Sequence, residues 1–233
     1  MKAVLFDLDN TLLIKRPTIA DKWREDLCKA GYSVTKNESE RAFALCEMWV
    51  GEQICRENET GVRLSDKEFL SNLMNRCIEV LGIDSSAEDI IVNGWIGRYE
   101  KTYEIAKGTH RLLDYLLSRD VLIGIVSNNT SEIRKVLDEL NLTQYFSVIV
   151  LSQEVDLYKP DPHILLYALN KLNVEPGDAI YVGDHPFDVI CAQNASIKSA
   201  WIPVNKYMEL PENTKAPAFR INSLDDLIAE CGL

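Results

Sequence analysis

A chain of 233 residues, 46% hydrophobic and 26% charged, has the balance of an ordinary soluble globular protein, long enough for one domain or one plus a smaller one. Its formal net charge of -11 argues against nucleic acid or an anionic membrane surface as partner, because both need clustered basic residues. A small anionic substrate stays open, since local Lys, Arg or metal charge decides that. No stretch is apolar and long enough to span a bilayer, and the opening apolar run, interrupted by Asp7 and Asp9, does not read as a signal peptide. The six cysteines (Cys28, Cys46, Cys55, Cys77, Cys191 and Cys231) show neither a C-x-x-C pair nor zinc-like spacing, so reduced thiols in a cytoplasmic protein are expected.

The apolar run Ala3 to Phe6 predicts a buried strand that delivers Asp7 and Asp9, with the Thr11 hydroxyl just beyond. Two acids two apart leave a regular strand on the same side, which points to a shared site. Strands also end in Asp where the chain turns, so the pair alone leaves site and turn both open. After Leu13 the pattern becomes helical, punctuated by the capping-box signatures Thr35/Glu38, Ser65/Glu68 and Ser85/Glu88, with Gly31 and Gly82 as helix ends. Helices are expected at about 17–30, 38–57, 66–81 and 87–105. An all-helical block after a single strand cannot continue a βαβ repeat, so residues 15–105 read as an inserted domain and 1–14 with 106–233 as the rest.

From Gly108 strands and helices alternate. His110–Ser118 reads as a helix, Val121–Val126 as a strand ending at Ser127-Asn128-Asn129, and 131–140 as a helix capped by Asn129 with Glu132. A strand over Phe146–Leu151, a helix opened by Asp161-Pro162, and a strand over Ala179–Val182 ending at Gly183-Asp184 follow. Another helix, a strand at Ala200–Val204 and a last strand and helix near Phe219–Glu230 complete the pattern. Such alternation predicts an α/β fold with a doubly wound parallel sheet, in which ligands bind beyond the carboxyl ends of the strands. Asp7 and Asp9, Ser127 and Asn128, and Asp184 all sit at such ends.

Three aspartates from two strands supply the hard oxygen ligands of a Mg2+-type site. Ser127 offers a hydroxyl at a strand-to-helix turn, and Lys159, in Tyr158-Lys159-Pro160-Asp161-Pro162, offers a cation. Each piece has a plainer reading: a loop and cap for Ser127 to Asn129, a solvated lysine, a turn with surface acids at Asp184 and Asp188. Their order, placement and chemical fit favour phosphoryl transfer with an Asp nucleophile.

At these residues the chain resembles the haloacid dehalogenase-like hydrolases. The family's D-x-D-x-T motif matches Asp7-Leu8-Asp9-Asn10-Thr11, its strand-closing Ser matches Ser127, its lysine matches Lys159-Pro160, and its G-D with a further Asp matches Gly183-Asp184 and Asp188. The resemblance implies a Rossmann-like core with a helical cap at 15–105. It implies Asp7 as nucleophile, Asp9 as general acid and base, and Mg2+ held by Asp7, the Asp9 backbone carbonyl and Asp184. Ser127, the backbone at Asn128 and Lys159 would bind the phosphoryl group, Thr11 would support the acid-bearing loop, and Asp188 would reach the metal through water or orient Lys159. Expected is a phosphatase for a small phosphomonoester such as a sugar phosphate, nucleotide or phosphoglycolate, as monomer or homodimer. A phosphosugar mutase stays open, because the motifs do not report whether water enters. A 2-haloacid dehalogenase is disfavoured by Asp9, since a leaving halide needs no proton. Trp23, Trp49, Trp95, Arg98, Tyr99 and Tyr103 are candidates for leaving-group contacts, although their spacing suits helix packing better.

Overall fold

The computed structural model describes residues 1–97 and 99–230, so Arg98 and Cys231 lie outside the described residues. In chain order the elements are β1 (Ala3–Phe6), β2 (Leu13–Arg16), α1 (Ile19–Lys29), α2 (Lys36–Thr60), α3 (Asp66–Leu81), α4 (Glu88–Trp95) and β3 (Thr102–Ile105). They continue as α5 (Thr109–Leu117), β4 (Leu122–Ser127), α6 (Ile133–Glu139), β5 (Val148–Leu151), α7 (Ser152–Val155) and α8 (His163–Leu172). The last are β6 (Ala179–Gly183), α9 (Pro186–Asn194), β7 (Lys198–Trp201), β8 (Phe219–Arg220) and α10 (Leu224–Glu230). The chain folds as two compact units, one of Met1–Ile14, Tyr103–Val204 and Glu209–Leu233, the other of Lys15–Thr102 with Asn205–Met208. No helix among the described residues is long and apolar enough to cross a membrane.

The first unit is built on a six-stranded sheet in the order β5-β4-β1-β6-β7-β8, and every neighbouring pair runs parallel. Side chains alternate across a strand, so β1, buried throughout, feeds two cores. Val4 and Phe6 pack with Leu112, Leu116, Leu137 and Leu227 from α5, α6 and α10. Ala3 and Leu5 pack on the other face with Ile164, Leu165, Leu169 and Ala192 from α8 and α9. The sheet is therefore doubly wound, and β1 lies where the order reverses, between β4 and β6.

The second unit packs α1 to α4 around Trp23, Leu27, Cys46, Leu73, Cys77 and Ile91. Thr35/Glu38 and Ser65/Glu68 form the capping boxes that open α2 and α3, and Gly82 ends α3 in the left-handed conformation. A third box, Thr18 with Asp21, opens α1. Trp23 belongs to this core: its ring is fully buried and its Nε1–H donates to the Ile91 carbonyl at 2.9 Å. The five described cysteines are free thiols.

Several expectations are corrected. The helix expected over 87–105 stops at Trp95; Gly97 follows at φ +69°, and Thr102–Ile105 forms β3, which pairs with β2. Residues 13–16 and 102–105 are thus strands, and the chain crosses between the units in them, so the segment 15–105 is not wholly helical. No Ser85/Glu88 box forms, because Asp84 caps one residue earlier and accepts from Ser86 N at 2.9 Å. Nor does Asn129 cap α6, which starts at Ile133 without a side-chain cap. Helix α8 begins at His163, where Asp161 Oδ1 still accepts from the His163 N–H at 2.9 Å.

Candidate active site

Register sets the site. Phe6 pairs with Ile125 of β4 and Val182 of β6, so Asp7, Ser127 and Asp184 leave three adjacent strands at one edge. The Asp7 N–H donates to Val182 O at 2.8 Å, which carries the pairing one residue beyond β1. The chain then turns at once: the N–H groups of Leu12 and Leu13 both donate to Leu8 O, at 3.0 and 2.9 Å. Asn10 supplies the left-handed residue that the turn requires, at φ +57°, a conformation Asn tolerates better than most residues.

Lys159, between α7 and α8, is buried with its ammonium among these strand ends. Nζ donates to Asp7 Oδ1 at 2.6 Å, Asp188 Oδ1 at 2.7 Å and Tyr181 OH at 2.9 Å. An ammonium has three N–H donors, and all three are used. Tyr181 OH passes its own proton to Val126 O at 2.9 Å. Asn128 fixes the lysine's backbone: its Oδ1 accepts from Lys159 N at 2.8 Å and its Nδ2 donates to Lys159 O at 3.0 Å. The Asn128 side chain is therefore committed to Lys159, which leaves its backbone for any anion.

Asp188 is held from two directions. Its Oδ2 accepts from His185 N at 3.0 Å in a capping box that opens α9, while His185 Nδ1 accepts from Phe187 N at 3.1 Å. Gly183 permits the approach, since an alanine Cβ there would stand 2.5 Å from Asp188 Cγ and 2.7 Å from its Cβ. Asp9 stands apart from the lysine cluster, its Oδ2 accepting from Asn129 Nδ2 at 3.1 Å. Ser127 is buried at the end of β4. Thr11 is also buried, but its hydroxyl has no hydrogen-bond partner among the described residues, so no side-chain bond from it to the acid loop is formed.

Electrostatically the site is overloaded with negative charge. Burial, augmented by the charges of Asp188 and Asp9 and opposed by Lys159, raises Asp7 to about 6. Burial and the charges of Asp7 and Asp188 hold Asp184 well above the usual carboxylate range. Burial would depress Lys159, yet Asp188 and Asp7 more than reverse it and keep the ammonium charged. Burial lowers His185 to about 4, so the ring is neutral, with the proton on Nε2 because Nδ1 accepts.

Carboxylate oxygens of Asp7, Asp184 and Asp188 lie within 4.8 Å of one another, all from buried residues. Three carboxyl groups against one ammonium crowd acids together in a buried space where their charge is penalised, a donor set that suits a hard divalent cation with oxygen ligands. Asp188 completes this carboxylate group; the contribution expected of Asp9 was its backbone carbonyl, and the Asp9 carboxylate is outside the group. Sequence reasoning passed over Tyr181 and Asn129 as site residues. A hydroxyl in the apolar strand Ala179–Gly183 must find a buried partner, and that was the available signal for Tyr181. Asn129 continues the polar run after β4, where its spacing to Glu132 also suits a helix cap.

Comparison with known proteins identifies the family. A phosphoglycolate phosphatase of Aquifex aeolicus is 28% identical over 230 residues, 98% of this chain and 95% of the relative. One of Pseudomonas fluorescens is 25% identical over 234 residues, 99% of this chain and 79% of the relative. A crystal structure of a HAD phosphatase from Thermococcus onnurineus superimposes with a TM-score of 0.59 at 26% identity, covering 100% of this chain and 98% of the other. The family model of haloacid dehalogenase-like hydrolases matches residues 4–202. That span runs from β1 through β7 and takes in every strand end described above: the chain belongs to the haloacid dehalogenase-like hydrolases.

Proposed function

We propose that this chain is a Mg2+-dependent phosphatase that hydrolyses a small phosphomonoester, of the phosphoglycolate kind, through an aspartyl-phosphate on Asp7. The observation that carries the reading is the 2.6 Å contact of Lys159 Nζ with Asp7 Oδ1 in a buried cluster that also holds Asp184 and Asp188. The names of the relatives add the substrate class.

Lys159 keeps Asp7 ionised at neutral pH and offers its N–H groups to phosphoryl oxygens once Asp7 is esterified. Ser127 and the backbone at Asn128 bind the other phosphoryl oxygens. A carboxylate oxygen of Asp7 attacks phosphorus, the bond from phosphorus to the ester oxygen breaks, and protonated Asp9 gives its proton to the departing alkoxide. Asp9, now a carboxylate, takes a proton from water as that water attacks phosphorus. The bond to Asp7 breaks, inorganic phosphate leaves, and both aspartates return to their starting state. Asp7 and Asp184, with the Asp9 carbonyl, would hold Mg2+, which supplies charge neutralisation between nucleophile and ester. Asp188 holds Lys159 in place, and segment 15–105 takes the role of cap domain.

The test is inorganic phosphate release from 2-phosphoglycolate, sugar phosphates, nucleotides and p-nitrophenyl phosphate, with Mg2+ and with EDTA. Expected are turnover of a small ester that EDTA abolishes and complete loss in Asp7→Asn. Turnover undiminished in Asp7→Asn, or no Mg2+-dependent release from any ester, overturns the reading.

A further inference from the structure

The loop that follows β4 is pinned on both sides. Asn128 is bonded twice to the Lys159 backbone, at 2.8 and 3.0 Å. Asn129 O accepts from Ser152 Oγ and Gln153 N, both at 3.4 Å, and Gln153 Oε1 accepts from Ser131 N at 3.0 Å. From this fixed base the Asn129 amide reaches Asp9, 120 residues away in sequence, and Nδ2 donates to Oδ2 at 3.1 Å. An amide nitrogen only donates, so the oxygen it touches presents a lone pair to it.

We propose that Asn129 is a positioning residue for proton transfer: its amide holds Oδ2 of Asp9 and fixes the orientation of that carboxyl. The inference rests on the phosphatase reading, in which Asp9 protonates the leaving alkoxide. It goes beyond that reading by adding, from a different strand end, a residue that holds the acid in place.

Two leaving groups separate this role from a structural one. An alkyl ester such as 2-phosphoglycolate needs its leaving oxygen protonated, whereas p-nitrophenolate departs without a proton. Phosphoenzyme formation is therefore followed for both esters by rapid-quench single turnovers in wild type, Asn129→Ala and Asn129→Asp. Asn129→Asp keeps the shape but, when ionised, loses the donor and sets a like charge against Asp9. Expected in both variants is a loss of roughly tenfold or more in the rate with the alkyl ester, little loss with the aryl ester, and KM for each within about twofold of wild type. Thermal unfolding checks that both variants are folded. Equal losses on the two esters, a loss confined to KM, or Asn129→Asp behaving as wild type overturns the proposal. A wild-type protein that turns over no ester of the wider panel overturns the phosphatase reading and this inference with it; a wild type active on both esters, with unaffected variants, overturns this inference alone.

Discussion

Lys159 is the residue on which the charge balance of the site turns. Its ammonium bridges Asp7 and Asp188 at 2.6 and 2.7 Å with both partners buried. Removing one side of a buried ion pair leaves the other charge uncompensated, so Lys159→Met should lower stability by about 3–5 kcal/mol. Urea unfolding measures this, and adding Asp188→Asn should recover part of the loss because the two residues are coupled. Equal stability of wild type and Lys159→Met would show that the cluster is not ionised as described. At this scale the sequence was most informative where chemistry demanded charged groups: Asp7, Lys159 and Asp184 stood out as charges at predicted strand ends or beside a helix start. It was least informative where neutral groups join the cluster through hydrogen bonds. Tyr181 and Asn129 have many ordinary roles, and only the three-dimensional register shows which groups each one touches.

Among the elements, α1 and α4 depend on one side chain. Trp23 donates to Ile91 O at 2.9 Å and stacks near Trp95, with ring centroids 6.3 Å apart. An alanine at Gly94 would place Cβ 2.5 Å from the indole Nε1, so the small residue is what lets the ring lie against α4. Trp23→Phe keeps much of the packing but leaves the Ile91 carbonyl without its donor, an expected cost of about 1–3 kcal/mol. Trp23→Ala also opens a cavity and should cost about 3–5 kcal/mol, both read from denaturant midpoints. The two capping boxes at Thr35 and Ser65 were readable because both halves are written three residues apart. The end of α4 was harder. Thr102–Ile105 is too short for its alternation to stand out, and its strand character comes from pairing with β2, which lies almost ninety positions earlier.

For the molecule as a whole, the buried acids couple stability to pH. Burial raises Asp7 to about 6 and holds Asp184 well above the usual carboxylate range, so the metal-free folded state binds protons more tightly than the unfolded one. Their contribution is present in full below the ordinary carboxylate range and is lost as pH rises through the raised values. The melting temperature of metal-free protein should therefore fall as pH rises from about 4 through about 6, and Mg2+ should restore more stability at the higher pH. Calorimetry with EDTA and with Mg2+ checks both; a flat profile unaffected by Mg2+ would rule out this electrostatic description. The parallel alternation after Gly108 made the sheet legible, whereas strand order was not written in any local pattern.

That order has a consequence for biosynthesis. Strand β1 is paired on both edges, to Leu122–Ile125 and to Ala179–Val182, so both of its partners are translated well after it. Residues 15–102, contiguous in sequence, can complete their own helical packing in the interval. The apolar segment Ala3–Phe6 meanwhile waits without a partner, and a chain stalled before residue 179 would keep one of its edges open to chaperones, proteases or other nascent chains. Because Asp7 borrows its last backbone bond from Val182, its carboxyl is in place only once the chain has been made as far as residue 182.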